Sequence, residues 1–195
     1  MTELATAHTW HDIRPGIEYS VETELTGWRV SVALVNGEIS PFRDIRGPSP
    51  LAEALCHADA EDKHHDGSEV HPGCICGLYL IDTRAHLADY WIDASTRHRK
   101  TRDNIGAHRW GGLVICNVDA VGNVTGRATR DGMSPPDTVH TYRTSAMRLR
   151  HVLVPTGTSK ALADQIARKY PDVSVTQMRG PLHTIRKPDY SWTDQ

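Results

Sequence analysis

Cys56, His71, Cys74 and Cys76 are the residues of this chain best suited to chemistry. Zinc in structural sites takes four soft or borderline donors in a tetrahedron, and thiolate and imidazole are its usual ligands. His71-x2-Cys74-x-Cys76 delivers three such donors from one turn, and Cys56 would supply the fourth from upstream. Gly73 and Gly77 flank the turn, where glycine lets backbone wrap tightly around an ion. The spacing is not that of a standard finger, and His57, His64 and His65 compete with His71 for the fourth place. Two other readings stay open: buried free thiols without metal, or a redox pair or disulfide. Cysteines two apart close a strained ring, so Cys74–Cys76 makes a poor disulfide. In a reducing compartment a cluster of this kind is more often metal-binding or redox than a disulfide framework. Cys116 sits inside an apolar run and reads as core.

A second candidate is the basic stretch with Arg97, Arg99, Lys100 and Arg102, followed by Arg109-Trp110. Basic side chains beside an aromatic can hold phosphate and stack a base; a solvated loop has the same composition. The formal net charge of -2 argues against a global electrostatic grip on nucleic acid. Val152 to Lys160 reads as strand, loop and helix start, but lacks the glycine and Gly-Lys-Ser/Thr order of a phosphate loop. No nucleophile elbow, His-Glu-x-x-His or dinucleotide-binding glycine pattern occurs. Catalytic triads are not local in sequence, so a spatial one is not tested this way. The leading expectation is a zinc-stabilised, non-enzymatic binding protein that acts through protein–protein contacts. The alternatives are a nucleic-acid binder using the basic stretch and a metal-dependent hydrolase. The last requires an open ligand position for water.

The elements that must position these groups follow from periodicity. Trp28, Val30, Val32 and Leu34 alternate with Arg29, Ser31 and Ala33, the pattern of a half-buried strand. Asn36-Gly37 is a hairpin turn signal, and the return strand would run from Glu38 to about Ile45. Pro41 puts that strand at an edge. Ser49-Pro50 predicts a helix from Leu51 to about Ala60, with Cys56 near its end. A polar loop at 59–73, rich in acid and histidine, leads to the cysteine pair and then to a strand at Leu78–Ile81. Asp82 or Thr83 caps a second helix with Leu87, Tyr90, Trp91 and Ala94 on one face. Gly112–Val118 and Val124–Thr129 read as two strands turned at Gly122-Asn123, and Tyr142–Val154 as a further strand. Thr158 or Ser159 caps a third helix with Leu162, Ala163, Ile166, Ala167 and Tyr170 inward; Pro171 stops it before a last strand at Val173–Met178.

Hairpins mixed with helices predict an α+β fold. It would have a mixed, mostly antiparallel sheet, about three helices and a small Cys/His metal-binding loop. Residues 28–179 would form the domain, with an N-terminal arm at 1–27 and a tail at 180–195. The 195 residues suit one domain. No run reaches the roughly 18 apolar residues of a membrane span, and Met1-Thr2-Glu3-Leu4 opens no secretory signal. The expected setting is cytoplasmic, away from membranes.

The segment His71-Pro72-Gly73-Cys74-Ile75-Cys76-Gly77-Leu78-Tyr79 resembles a family of uncharacterised actinobacterial and actinophage proteins. Those chains carry a cysteine, a His/Pro stretch, then Cys-Thr-Cys-Gly-Ile-Tyr-Ala. Their Gly-x-Val-x-Leu-Trp-Gly strand is similar to Gly112-Leu113-Val114-Ile115-Cys116-Asn117, and their Gly-Tyr-Arg-Ala-Glu to Tyr142-Arg143-Thr144-Ser145-Ala146. Their last helix is matched by Ala161 to Val173, so the likeness spans residues 28–176. This chain has Ile75 for Thr, Asn117 for Trp, and a longer loop between Cys56 and Cys74. The resemblance implies a bacterial or phage origin and supplies no activity.

Overall fold

The computed structural model describes residues 5–14, 17–21, 24–42, 50–54, 70, 77–87, 102–126 and 141–178. Among the described residues nine strands form one sheet: β1 (Ala5–Ala7), β2 (Glu18–Val21), β3 (Leu25–Leu34), β4 (Ile39–Ser40), β5 (Leu51–Glu53), β6 (Leu78–Ile81), β7 (Trp110–Gly126), β8 (Thr141–Val154) and β9 (Ser174–Gln177). The pairings β1–β2 and β8–β9 are parallel and the others antiparallel. Helix among the described residues comprises a 3-10 turn at Trp10–Asp12, residues 84–87 and 102–105, and the helix α1 at Lys160–Lys169. The chain is therefore α+β with a mostly antiparallel sheet.

The long strands β7 and β8 pair from Ile115↔Leu153 to Gly126↔Tyr142. On its other edge β7 meets β3 and β2. On its other edge β8 meets β6, β5 and β9. Ile81 of β6 pairs with both Thr141 of β8 and Trp28 of β3, so β3, β7, β8 and β6 form a closed circuit. Closure needs strong coiling. Register irregularities at Asn117/Val118 and Val121/Val124 provide it, because an extra residue in one strand bends it and raises its twist.

Both faces of this sheet are covered. Val114, Cys116, Val118 and Ala120 of β7 join the larger core with Met147, Leu149 and Val152 of β8. Ile115 joins a smaller one with Val30, Ile81, Leu87 and Leu153. Alternation in β3 predicts one wet face, but Val30 to Leu34 are all buried, Ser31 included. Small residues at 31 and 33 let a second layer approach where larger ones would not.

Four other expectations need correction. Gly122-Asn123 does not reverse the chain: β7 continues through it as one strand of 17 residues. Ser145 of β8 explains this, since its Oγ accepts from Asn123 N at 2.9 Å and occupies the space a side chain at 122 would need. Gly122 has φ +78, so the residue types that favour a turn here serve a bulge. Leu51–Glu53 is a strand, not the start of a helix, because it finds the edge of β8 at Arg148, Met147 and Ala146. Residues 43–49 and 55–60 lie outside the described residues. The return strand after Asn36-Gly37 is only Ile39–Ser40. Residues 5–7 and 18–21, within the stretch expected as an arm, are strands of the sheet, with Ala7 and Tyr19 buried. They are too short to show a period in sequence. The tail at 180–195 lies outside the described residues.

The helix α1 has the expected cap: Ser159 Oγ accepts from Leu162 N at 3.2 Å. Leu162 and Ile166 are buried, whereas Ala167 is exposed. Gly37, at φ +83, lies against the backbone of Gln165, where an added Cβ would come within 2.6 Å. Tyr170 ends the helix and ties it to the sheet. Its hydroxyl donates to Phe42 O and accepts from Ile39 N, both at 2.8 Å. Burial pushes this phenol up to about 12, so it stays a donor across the physiological range. Tyr170→Phe leaves two buried backbone groups without that partner. The expected loss is about 1–3 kcal/mol of unfolding free energy, read by urea denaturation with an unchanged slope.

Candidate metal centre

Cys56, His71, Cys74 and Cys76 lie outside the described residues. The chain on either side of them does not. Strand β5 pairs with β8 as far as Glu53↔Ala146, and Ala54 N then donates to Ser145 O at 2.7 Å. Strand β6 takes up the same edge at Leu78↔Thr144. The two strands thus form one line along β8, interrupted where residues 55–77 leave and return. The departure and the re-entry sit on adjacent residues, Ser145 and Thr144.

The neck of this excursion is tightly packed. Gly77, at φ +109, is so placed that an added Cβ would lie 3.2 Å from Arg143 Cβ, 3.4 Å from Val70 Cγ1 and 3.5 Å from Thr144 O. Val70 and Arg143 are fully buried, and Ala54 nearly so. The opposite edge of β8 is fixed here too, for Thr144 Oγ1 donates to Val121 O at 3.0 Å. Ala54 precedes Cys56 by two residues, Val70 directly precedes His71, and Gly77 directly follows Cys76. In sequence, three of the four donors thus lie within two residues of Ala54, Val70 or Gly77, which stand at this neck. Among the described residues no group of three or more His, Cys, Asp or Glu side chains could hold a metal.

Of the basic stretch, Arg97, Arg99 and Lys100 lie outside the described residues. Arg102 is exposed in the helical residues 102–105, and His108 and Arg109 are exposed after it. Their loop is closed by Gly106 N to Arg102 O and docked by Val35 N to Arg109 O at 3.1 Å.

Two features escape sequence reasoning. The first is the burial of Arg143, a charged residue in a strand whose neighbours look one-sided. The second is a carboxylate–histidine pair at the end of β6. Asp82 Oδ1 lies 2.6 Å from His86 Nδ1, and Thr83 Oγ1 lies 2.8 Å from the same nitrogen. Thr83 also accepts from His86 N at 3.3 Å, so the group caps the helical residues that follow. The signal was present as Asp-Thr-x-x-His, which places all three side chains on the first turn. Burial and the Asp82 charge together push the nearby Tyr142 phenol up to about 12. Its ring lies against Trp10, with centroids 4.6 Å apart.

Comparison with protein-family models, with curated proteins and with solved structures finds no match.

Two consequences can be measured. Cys116 is wholly buried, and desolvation pushes its thiol up to about 11. Thiolate is the reactive form. Cys116 should therefore stay unmodified by iodoacetamide at neutral pH in the folded chain and react at once in denaturant, read by peptide mass spectrometry. His151 links β8 to β9 through Thr176 Oγ1 at 3.0 Å. Burial, then the neighbouring Arg84 charge, holds its imidazole below the ordinary 6.5. The unfolded chain therefore takes up this proton first, and stability falls as pH drops through that value. His151→Gln should flatten the dependence of the melting temperature on pH between about 7 and 5.

Proposed function

We propose that this chain is a zinc-stabilised binding protein that acts through contacts with another protein. One structural ion would be held by Cys56, His71, Cys74 and Cys76. The observation that carries this reading is the interrupted strand: the segments bearing these donors start and end on Arg143, Thr144 and Ser145 of β8. The excursion 55–77 is polar, with little apolar content of its own to bury. Closing a long loop costs entropy, and a metal clip at its neck offsets that cost through ligand bonds rather than burial.

Four protein ligands would leave no position for water on the ion, which separates this role from metal-dependent hydrolysis. No helix of the described residues is long and apolar enough to cross a membrane. The resemblance of the Cys-x-Cys-Gly segment supports a bacterial or phage origin. Reduced thiols fit a cytoplasmic setting.

The test is metal content by elemental mass spectrometry on protein purified without chelator. The expected result is about one zinc per chain. Cys74→Ser and Cys76→Ser should each lose the metal and lower the melting temperature. Absence of metal from the wild-type chain would overturn the reading.

A second reading is nucleic-acid binding through Arg97, Arg99, Lys100 and Arg102. The exposure of Arg102, His108 and Arg109 on one loop favours it. It requires binding that weakens with salt by about 0.9 log units per phosphate contact for each log unit of salt. No binding to duplex or single strands at about 50 mM salt, where such contacts are strong, would remove it.

A further inference from the structure

We propose that Asn36 is a deamidation site that helix α1 holds shut. The chain has four asparagines, and three of them precede β-branched residues: Asn104-Ile105, Asn117-Val118 and Asn123-Val124. A branched side chain is stiff and crowds its own amide nitrogen. Asn36 alone precedes glycine, whose nitrogen has no side chain beside it. Asn36 is also exposed, in the turn between β3 and β4. The reaction needs only water. The Gly37 nitrogen gives up its proton and attacks Asn36 Cγ. The new N–Cγ bond closes an imide ring as the side-chain nitrogen leaves as ammonia. Water then opens either carbonyl, giving aspartate or an isoaspartate whose main chain is longer by a carbon.

The fold opposes the first step at three points. Gly37 N donates to Leu34 O at 2.9 Å, so the attacking nitrogen holds its proton. Asn36 Oδ1 accepts from Glu38 N at 3.0 Å, which fixes the side-chain amide. Gly37 is buried against α1, with the Gln165 backbone 2.6 Å from where a Cβ would stand. A turn held this way does not swing Gly37 N onto Cγ. Tyr170 keeps α1 in place through Ile39 N and Phe42 O, both at 2.8 Å. Reaction therefore requires local opening, and its rate follows the population of the open form. The added carbon of isoaspartate would drive Gly37 into Gln165, so a chain that has formed it does not close again. The hairpin thus converts a passing loss of the α1 contact into a covalent record.

The experiment incubates the full chain at mildly alkaline pH and follows the Asn36 peptide by mass spectrometry. Chromatography separates its aspartate and isoaspartate forms. In concentrated urea Asn36 should convert well ahead of Asn104, Asn117 and Asn123. In the native chain it should convert more slowly by about tenfold or more, and Tyr170→Phe should recover part of that difference. Gln165→Gly weakens the helix at the contact itself. It should also speed conversion, and it covers the case in which Tyr170→Phe fails to fold. Ile115→Val, a small cut in the other core, should leave the native rate unchanged, because the opening is local. Equal rates in urea and in native buffer would overturn protection by the fold. Protection that neither α1 variant relieves, or that Ile115→Val relieves equally, would overturn the role of α1.

Discussion

The ladder between β7 and β8 is the constraint from which the other elements take their positions. It spans Ile115–Gly126 against Tyr142–Leu153; β7 gives its second edge to the ten-residue β3 and to β2, and β8 gives its own to the short strands β6, β5 and β9. The strands on the edge of β8 are too brief to hold a register alone. Strand β6 has four residues, β5 three and β9 four. A register slip of one residue would turn every side chain of a long strand to the other face. Both faces here are buried, so a slip would cost two cores.

Polar groups inside the sheet fix the same register. Asp119 is buried on β7, and its carboxylate takes the Thr26 hydroxyl of β3 at 3.1 Å and the Arg150 guanidinium of β8. Arg150 also pairs with Glu24 at the surface. One carboxylate thus connects the three central strands. Ser145 and Asn123 do the same for the bulge, and Asn123 extends the link to Glu18 on β2. Apolar packing supplies most of the driving force, and these bonds specify which of several similar apolar pairings is used.

What was legible in the sequence follows from this division. Long or capped elements announce themselves: Tyr142–Val154 and the helix opened by Ser159 fall where periodicity and capping put them, as does the short strand Leu78–Ile81. Elements decided by a partner do not. Leu51–Glu53 carries a helix-start signal at Ser49-Pro50, but the edge of β8 overrides it. Gly122-Asn123 has the composition of a turn, and only Ser145 across the ladder makes it a bulge. Of the candidate site, the donor types and their spacing were readable. That Ala54 and Leu78 stand side by side was not, because their proximity is a property of β8.

The interrupted strand also bears on how such a chain can vary. Strands β5 and β6 lie end to end on one edge of β8, so the chain between them departs from and returns to neighbouring residues of that strand. Segments of very different length can leave and re-enter there without moving a single register. The excursion is a place where lineages can diverge in size while the scaffold beneath keeps its shape. Alignments there will break where the fold does not.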